Sequence, residues 1–101
     1  MNIKCEKQNL RFRITKADFE ELWENKQISS LINYQTFEHN FQIYLQPNLT
    51  QEIEISLTPQ TWKLILNNQP KSNLFTKLQT KNGISTRFNN LEVSIAIDFR
   101  S

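Results

Sequence analysis

Hydrophobic and polar residues alternate along several short stretches of this chain, which is the period of a strand with one buried face. The alternation predicts strands over residues 2–7, 9–14, 39–46, 52–57, 74–80, 84–88 and 91–99, and residues 28–34, which alternate poorly, are also interpreted as a strand. In the last of these the residues that share one face are Leu91, Val93, Ile95, Ile97 and Phe99. Five apolar residues on one face favour a central strand, or a strand that is well covered by a helix.

A helix is predicted after Thr15, where the spacing of the apolar residues changes. Phe19, Leu22 and Trp23 occupy positions i, i+3 and i+4, which form a single stripe on a helix. The Thr15 hydroxyl can accept a hydrogen bond from the backbone N–H of Asp18, and the Asp18 carboxylate can accept one in return, as in a capping box. The helix is expected to fade by residue 26.

The same pattern of strand, threonine and apolar stripe returns 43 positions further along the chain. Thr58 is the second threonine, Pro59 suits the first position of a helix, and Trp62, Ile65 and Leu66 repeat the stripe. The sequence therefore predicts a second helix here and two related β-β-α-β halves. Duplication of an ancestral unit and convergence on one local solution both account for the repeat.

The predicted fold is a single α+β domain over residues 1–101, with the element order β-β-α-β-β-β-α-β-β-β. The dipeptide Asn82-Gly83 is the strongest hairpin signal, and it is expected to join strands 74–80 and 84–88. Hairpins combined with two amphipathic helices predict a mainly antiparallel sheet that curls, or a sandwich. A chain of 101 residues is long enough for one modest core.

Composition narrows the class of protein. The formal net charge is only +2, which argues against a protein whose main task is to neutralise many phosphates. No apolar run approaches the roughly 20 residues of a membrane span, and the start of the chain has no continuous apolar segment of the signal-peptide type. The single cysteine fits a reducing compartment. A cytoplasmic protein with no membrane partner is expected.

Residues that could carry chemistry are few. The alternation of Cys5 with Ile3 places the cysteine in the core, and His39 is expected on the surface beside a turn. Glu52 and Glu54 share a strand face roughly 7 Å apart. That face is expected to be solvated, and a solvated pair of carboxylates is not suited to acid–base catalysis. With one glycine no phosphate-binding loop can form. We predict no catalytic residue, no metal ligand and no cofactor, and therefore no enzyme.

The charges suggest a surface formed by Lys4, Arg11, Arg13 and Lys16. Arg11 and Arg13 share one face of a strand, and Lys4 is expected beside them across the first hairpin. This basic surface could bind an anion or a nucleic acid. Alternatively, the arginines could be matched by carboxylates on neighbouring strands. The carboxylates available for such pairs are Glu52, Glu54, Glu92 and Asp98.

Residues 10–18, which read Leu-Arg-Phe-Arg-Ile-Thr-Lys-Ala-Asp, and the closing dipeptide Asp98-Phe99 resemble a family of small bacterial proteins of unknown function. The resemblance runs over most of the chain. It implies a bacterial origin and one compact α+β domain, and it supplies no activity, substrate or catalytic residue.

The leading hypothesis is a non-catalytic cytoplasmic module that binds another protein or a second copy of itself, as a homodimer. Many strands in a small chain leave sheet edges that need a partner. The alternative is a nucleic-acid or anion binder that uses Arg11, Arg13 and Lys16. Of these ligands nucleic acid is the less expected, because the one aromatic of this strand, Phe12, lies on the face opposite the arginines.

Overall fold

The computed structural model describes residues 1–34 and 37–98 of the chain. Within this part the elements are β1 (Asn2–Glu6), β2 (Asn9–Ile14), α1 (Lys16–Asn25), β3 (Gln27–Tyr34), β4 (Phe37–Gln46), β5 (Ile53–Leu57), β6 (Thr61–Asn67), α2 (Lys71–Gln79), β7 (Ile84–Phe88) and β8 (Leu91–Ile97). The prediction of an α+β fold with two helices and two related halves is confirmed.

The strands form two four-stranded sheets with the same topology. Sheet 1 has the order β1-β2-β8-β7, and sheet 2 has the order β3-β4-β6-β5. Each sheet consists of two antiparallel hairpins, and the second strands of the two hairpins pair in parallel at the centre. Along the chain the order β-β-α-β-β occurs twice, so the two related halves are present, although the second helix is not at the position that the apolar stripe predicts.

The chain divides into two compact units. The first comprises Met1–Glu20 and Gln69–Ser101 and contains sheet 1 and α2, while the second comprises Glu21–Asn68 and contains sheet 2. The boundary between them falls within α1. Folding of residues 1–101 as a single domain stays a prediction.

The core of the first unit lies on one face of sheet 1. The two central strands contribute alternate residues that are buried and directly paired across the parallel register: Leu10 with Val93, Phe12 with Ile95, and Ile14 with Ile97. Helix α2 adds Leu74 and Leu78, one turn apart and both buried. Strand β8 is therefore the central strand that its alternation favours, and Phe99 lies outside the described residues.

Helix α1 begins as predicted. The backbone N–H of Asp18 donates to the Thr15 hydroxyl and the backbone N–H of Thr15 donates to the Asp18 carboxylate, both at 3.0 Å. This reciprocal pair satisfies two backbone donors at a helix start. Phe19 and Leu22 are buried, and Trp23 is half-buried.

The second predicted helix is wrong, because residues 61–67 form strand β6 between β4 and β5. Thr58 lies in the turn of the β5–β6 hairpin: its hydroxyl accepts from the Thr61 N–H at 3.1 Å and donates to the Thr61 carbonyl at 2.9 Å. On a strand, residues at an even separation share a face and residues at an odd separation lie on opposite faces, so the predicted stripe is divided between the two faces of β6. Leu66 lies on the buried face with Leu64, whereas Ile65 lies on the opposite face and pairs with Tyr44.

The predicted strand over residues 74–80 is also wrong, since helix α2 covers Lys71–Gln79 and follows Pro70. The dipeptide Asn82-Gly83 therefore joins a helix to β7 and is not a hairpin. Gly83 nevertheless has the positive φ, +61°, that the turn prediction requires of it. Leu74 and Leu78 satisfy a helical spacing, which the short apolar pattern did not distinguish from a strand.

Candidate functional site

The outer face of sheet 1, opposite the core, carries the predicted basic residues in neighbouring rows. Arg11 lies between Lys4 on β1 and Ser94 on β8. Arg13 occupies the next row, beside Ala96 on β8. The expected position of Lys4 next to Arg11 follows from the β1–β2 register, and the parallel register of β2 and β8 adds the two small residues.

A groove of about 540 Å³ runs along this face. Phe12 borders it, although its side chain is buried on the opposite face of β2. The other residues that border it come from β2, β8 and the α2–β7 turn: Asn9, Arg11, Arg13, Lys81, Asn82, Glu92, Ser94 and Ala96. Two long arginine side chains stand beside the short side chains of Ser94, which is half-buried, and Ala96, which is buried. The difference in side-chain length along one face is what forms the groove. We call these eight residues the basic groove.

The turn at the edge of the basic groove is held against β8 by Gly83. A Cβ atom at this position would overlap the carbonyl oxygen of Ile95 and lie 2.9 Å from the Ala96 Cβ. The Gly83 N–H also donates to the Thr80 carbonyl at 3.1 Å. The close approach that a missing side chain permits brings Lys81 to the groove.

The basic groove has an excess of positive charge. Arg11, Arg13 and Lys81 are opposed by one carboxylate, Glu92, which sits in the row of Asn9 and not in that of either arginine. Ion pairs among the described residues join the Met1 amino group to Asp18, Lys4 to Glu6, and Lys71 to Glu20. None of these pairs includes Arg11 or Arg13.

Lys4 is engaged within its own strand. Its ammonium group lies 3.0 Å from the Glu6 carboxylate, and both side chains are largely exposed. The hydrogen bond from Lys4 and its charge, together with the more distant charge of Arg11, hold the pKa of Glu6 below its ordinary value. Lys16 is the first residue of α1 and does not border the groove. The structure thus brings Lys4, Arg11 and Arg13 together and places Lys16 elsewhere.

The carboxylates considered as partners of the arginines are distributed differently from the sequence expectation. Glu52 and Glu54 belong to the second unit, and Glu54 lies in sheet 2, paired with Ile65. Glu92 lies on β8 in sheet 1. Asp98, the fourth of these carboxylates, directly follows β8 and is half-buried, and its backbone N–H donates to the Ile14 carbonyl at the end of β2 at 2.8 Å.

Sequence reasoning missed the residues that complete the groove, above all Lys81, Asn82, Ser94 and Ala96. They reach Arg11 and Arg13 through the parallel pairing of β2 with β8, which joins residues such as Arg11 and Ser94 that are 83 positions apart. One signal was present, because Ser94 and Ala96 are the small residues on the polar phase of an otherwise apolar strand.

The two residues considered for nucleophilic or acid–base chemistry are not where the sequence predicts them. Cys5 is exposed on β1, an edge strand, so its alternation with Ile3 does not bury it. His39 is 7% exposed, and its ring lies 4.6 Å from that of Phe41 and 4.8 Å from that of Trp62. His39 shares the buried face of β4, which makes it a core residue. Its aromatic neighbours account for its position.

Aromatic side chains are absent from the outward positions of sheet 1 among the described residues. These positions are Asn2, Lys4, Glu6, Asn9, Arg11, Arg13, Ser85, Arg87, Glu92, Ser94 and Ala96. Tyr44, which is out of phase with the buried residues Phe41, Ile43 and Leu45 of β4, belongs to sheet 2. Its hydroxyl donates to Gln42 at 3.1 Å, and the Lys63 ammonium lies 5.2 Å from its ring centroid.

A family model matches residues 1–100 of the chain, and its description is a family of unknown function, DUF7009. No protein with curated annotation matches the chain, and no solved structure matches it. In the described residues, no group of three or more His, Cys, Asp and Glu side chains is arranged to hold a metal ion. Neither described helix has the length and apolar character that crossing a membrane would require.

Proposed function

Because the chain belongs to DUF7009, a family of unknown function, no activity can be taken from its relatives, and we propose from the geometry that it is a non-catalytic binding module. Its ligand is a negatively charged partner held in the basic groove. The observation that carries this proposal is the position of Arg11 and Arg13 in one groove, with no ion pair to a carboxylate of the described residues. We further propose that the module acts in the bacterial cytoplasm, as its single cysteine and the family resemblance suggest.

The arginines are suited to such a ligand by chemistry and by availability. A guanidinium group presents a planar fork of N–H donors that matches a carboxylate or phosphate at two points. An arginine already paired with a carboxylate must lose that partner before it can bind another anion. Arg11 is exposed and Arg13 half-buried, so a ligand can reach both without breaking an existing ion pair.

The non-catalytic part of the proposal follows from the surroundings of Cys5 and His39. The thiol stands on an edge strand, and the imidazole is packed against two aromatic rings of sheet 2. A nucleophile needs a base within hydrogen-bond reach, and a general base needs access to its substrate. Neither requirement is supported by the environment of these two residues.

The test is a titration of the ¹⁵N-labelled protein with citrate and, separately, pyrophosphate, followed by amide chemical shifts. We expect the largest shifts in β2 and at Ser94 and Ala96. The double variant Arg11→Ala/Arg13→Ala should weaken binding at least about fivefold, because two exposed charge pairs are lost.

The matched control for this titration is Arg87→Ala. Arg87 is an arginine on the outer face of the same sheet, opposite Glu92 in the β7–β8 register, and it does not border the basic groove. Its removal lowers the net charge by one unit but should leave the affinity nearly unchanged. Shifts that avoid β2 and β8, or an equal loss of affinity in Arg87→Ala, would contradict the proposal.

A further inference from the structure

We infer that the ligand of the basic groove is an extended acidic segment of another protein, with carboxylates at alternate positions. This inference rests on the proposed function and names its partner. It joins the two sequence hypotheses, since the partner is a protein and the arginines are the residues that recognise it.

The spacing of the arginines matches the repeat of an extended chain. Arg11 and Arg13 are two residues apart on one strand face, which is about 6.6 Å at the rise of a strand. In an extended peptide, residues i and i+2 point the same way at this same separation. Asp or Glu side chains at alternate positions can therefore each meet one guanidinium, whereas adjacent carboxylates point to opposite sides.

The floor and walls of the groove also fit a peptide. Ser94, beside Arg11, is half-buried, and its short side chain leaves space for a backbone above β8, whereas Ala96, beside Arg13, is a buried part of the groove lining. Asn9 and Asn82 border the same space, and their amide groups can donate to and accept from peptide groups. A volume of about 540 Å³ is in the range of sites that hold a small ligand or a few side chains.

The charges of the groove determine where the carboxylates of the segment bind and how many of them are needed. Glu92 borders the groove in the row of Asn9, and Lys81 borders it on the turn preceding β7. The Glu92 carboxylate repels anions near Asn9, while the rest of the groove is lined by the cations of Arg11, Arg13 and Lys81. The net charge of the groove is therefore matched by two or three acidic side chains, and a long polyanion is not required.

Two features of this face disfavour nucleic acid. Proteins that bind single strands stack bases on exposed aromatic side chains, and the outward positions of sheet 1 carry none among the described residues. Glu6 and Glu92 are also on this face and would repel a phosphate backbone that extended along it. An acidic peptide needs neither stacking nor a long uniform positive surface.

The experiment compares three fluorescently labelled probes by anisotropy with the intact protein. The first is the peptide Ser-Asp-Ser-Asp-Ser-Asp-Ser. The second is Ser-Asp-Asp-Ser-Ser-Asp-Ser, which has the same composition and charge but no two carboxylates at positions i and i+2. The third is an oligothymidylate. We expect the alternating peptide to bind at least about threefold more tightly than the other two, since only it aligns a carboxylate with each arginine. In Arg11→Ala/Arg13→Ala this preference should disappear, and in Arg87→Ala it should persist.

Each other outcome has a separate meaning. Equal affinity for the two peptides would overturn the extended register. Tighter binding of the oligothymidylate, falling steeply between about 50 and 200 mM salt, would overturn the protein partner in favour of nucleic acid. In both cases the basic groove would remain an anion site, whereas binding of none of the probes at low salt would overturn the proposed function as well.

Discussion

Gly83 is the residue on which the position of the groove turn depends most directly. It is the only glycine of the chain, and it combines a φ of +61° with a backbone approach to β8 that leaves no room for a Cβ. An alanine would lie 2.7 Å from the Ile95 carbonyl carbon, which belongs to the rigid backbone of a central strand. The turn cannot accept a side chain unless it moves away from β8.

We predict that Gly83→Ala lowers the free energy of unfolding by about 2 kcal/mol or more. The left-handed conformation alone costs a non-glycine residue roughly 1–2 kcal/mol, and the overlap with Ile95 adds to this. Urea denaturation measures the loss. The neighbouring Asn82→Ala, at an exposed position, should change the stability by no more than about 0.5 kcal/mol. Equal stabilities of the two variants would contradict the packing described for Gly83.

The alternation of apolar and polar residues predicts correctly whether a side chain is buried or exposed where its strand pairs with a neighbouring strand on both sides. Arg11 and Arg13 are correctly placed on the outer face, because β2 is a central strand with a fully buried inner face. Cys5 has the inward phase but stands on an edge strand, where the same phase leaves it exposed. His39 is buried because β4 is central in sheet 2. Position within a sheet, which decides both cases, is not a local property.

At the scale of elements, the start of α1 is determined by residues close in sequence, Thr15 and Asp18, through their reciprocal hydrogen bonds. Burial raises the pKa of Asp18. The hydrogen bond from the Thr15 backbone N–H and the Met1 ammonium 3.0 Å away lower it by more than burial raises it, so the net shift is downward. The folded state therefore binds this proton more weakly than the unfolded chain does. The resulting stabilisation is fully present above the unfolded pKa of about 3.9 and is lost as pH falls through the lower folded pKa.

We accordingly expect Asp18→Asn to destabilise the protein by about 1 kcal/mol at neutral pH and by much less at pH about 2. Thermal denaturation across this pH range provides the measurement. Glu21→Gln, which removes an exposed carboxylate of the same helix, is the control and should show no comparable pH dependence. A penalty for Asp18→Asn that is as large at low pH as at neutral pH would show that charge at this position does not stabilise the helix.

Segment 61–67, predicted as a helix, forms β6, while segment 74–80, predicted as a strand, lies mostly in α2. Both show that the spacing of apolar residues cannot always distinguish a helix from a strand. Trp62, Ile65 and Leu66 satisfy a helical stripe, but Trp62, Leu64 and Leu66 satisfy a strand equally well. The strand forms because β6 pairs with β4 on one side and β5 on the other, which satisfies its backbone groups along both edges. Short apolar runs are decided by such tertiary pairing.

At the scale of the whole molecule, the sequence of the second unit interrupts that of the first. Each unit has about 50 residues, a size at which a single core is marginal by itself. We therefore propose that neither unit is stable alone and that the chain unfolds as one. Both tryptophans, Trp23 and Trp62, belong to the second unit, so their fluorescence reports on that unit while far-ultraviolet circular dichroism reports on both.

We predict coincident denaturation curves from the two probes, as expected of a two-state transition. A sharper form of the test uses Leu10→Ala, which removes a fully buried side chain from sheet 1 and should cost about 2–5 kcal/mol. In a cooperative chain the tryptophan transition must shift by the same amount, although both indoles lie in the other unit. The matched variant Leu64→Ala removes a fully buried leucine of sheet 2. A tryptophan transition that responds to Leu64→Ala alone would mean two independent domains.

The sequence by itself determined the features that depend on residues within a few positions of each other. These are the faces of β2 and β8, the capping box of α1 and the positive φ of Gly83, because periodicity, side-chain caps and glycine conformation are local. The tertiary structure alone decided which second strands pair in parallel, which apolar run becomes α2, and which side chains border the basic groove. Pairing between distant strands depends on register and burial across the whole chain. The groove exists only because β2 and β8, at opposite ends of the sequence, lie side by side.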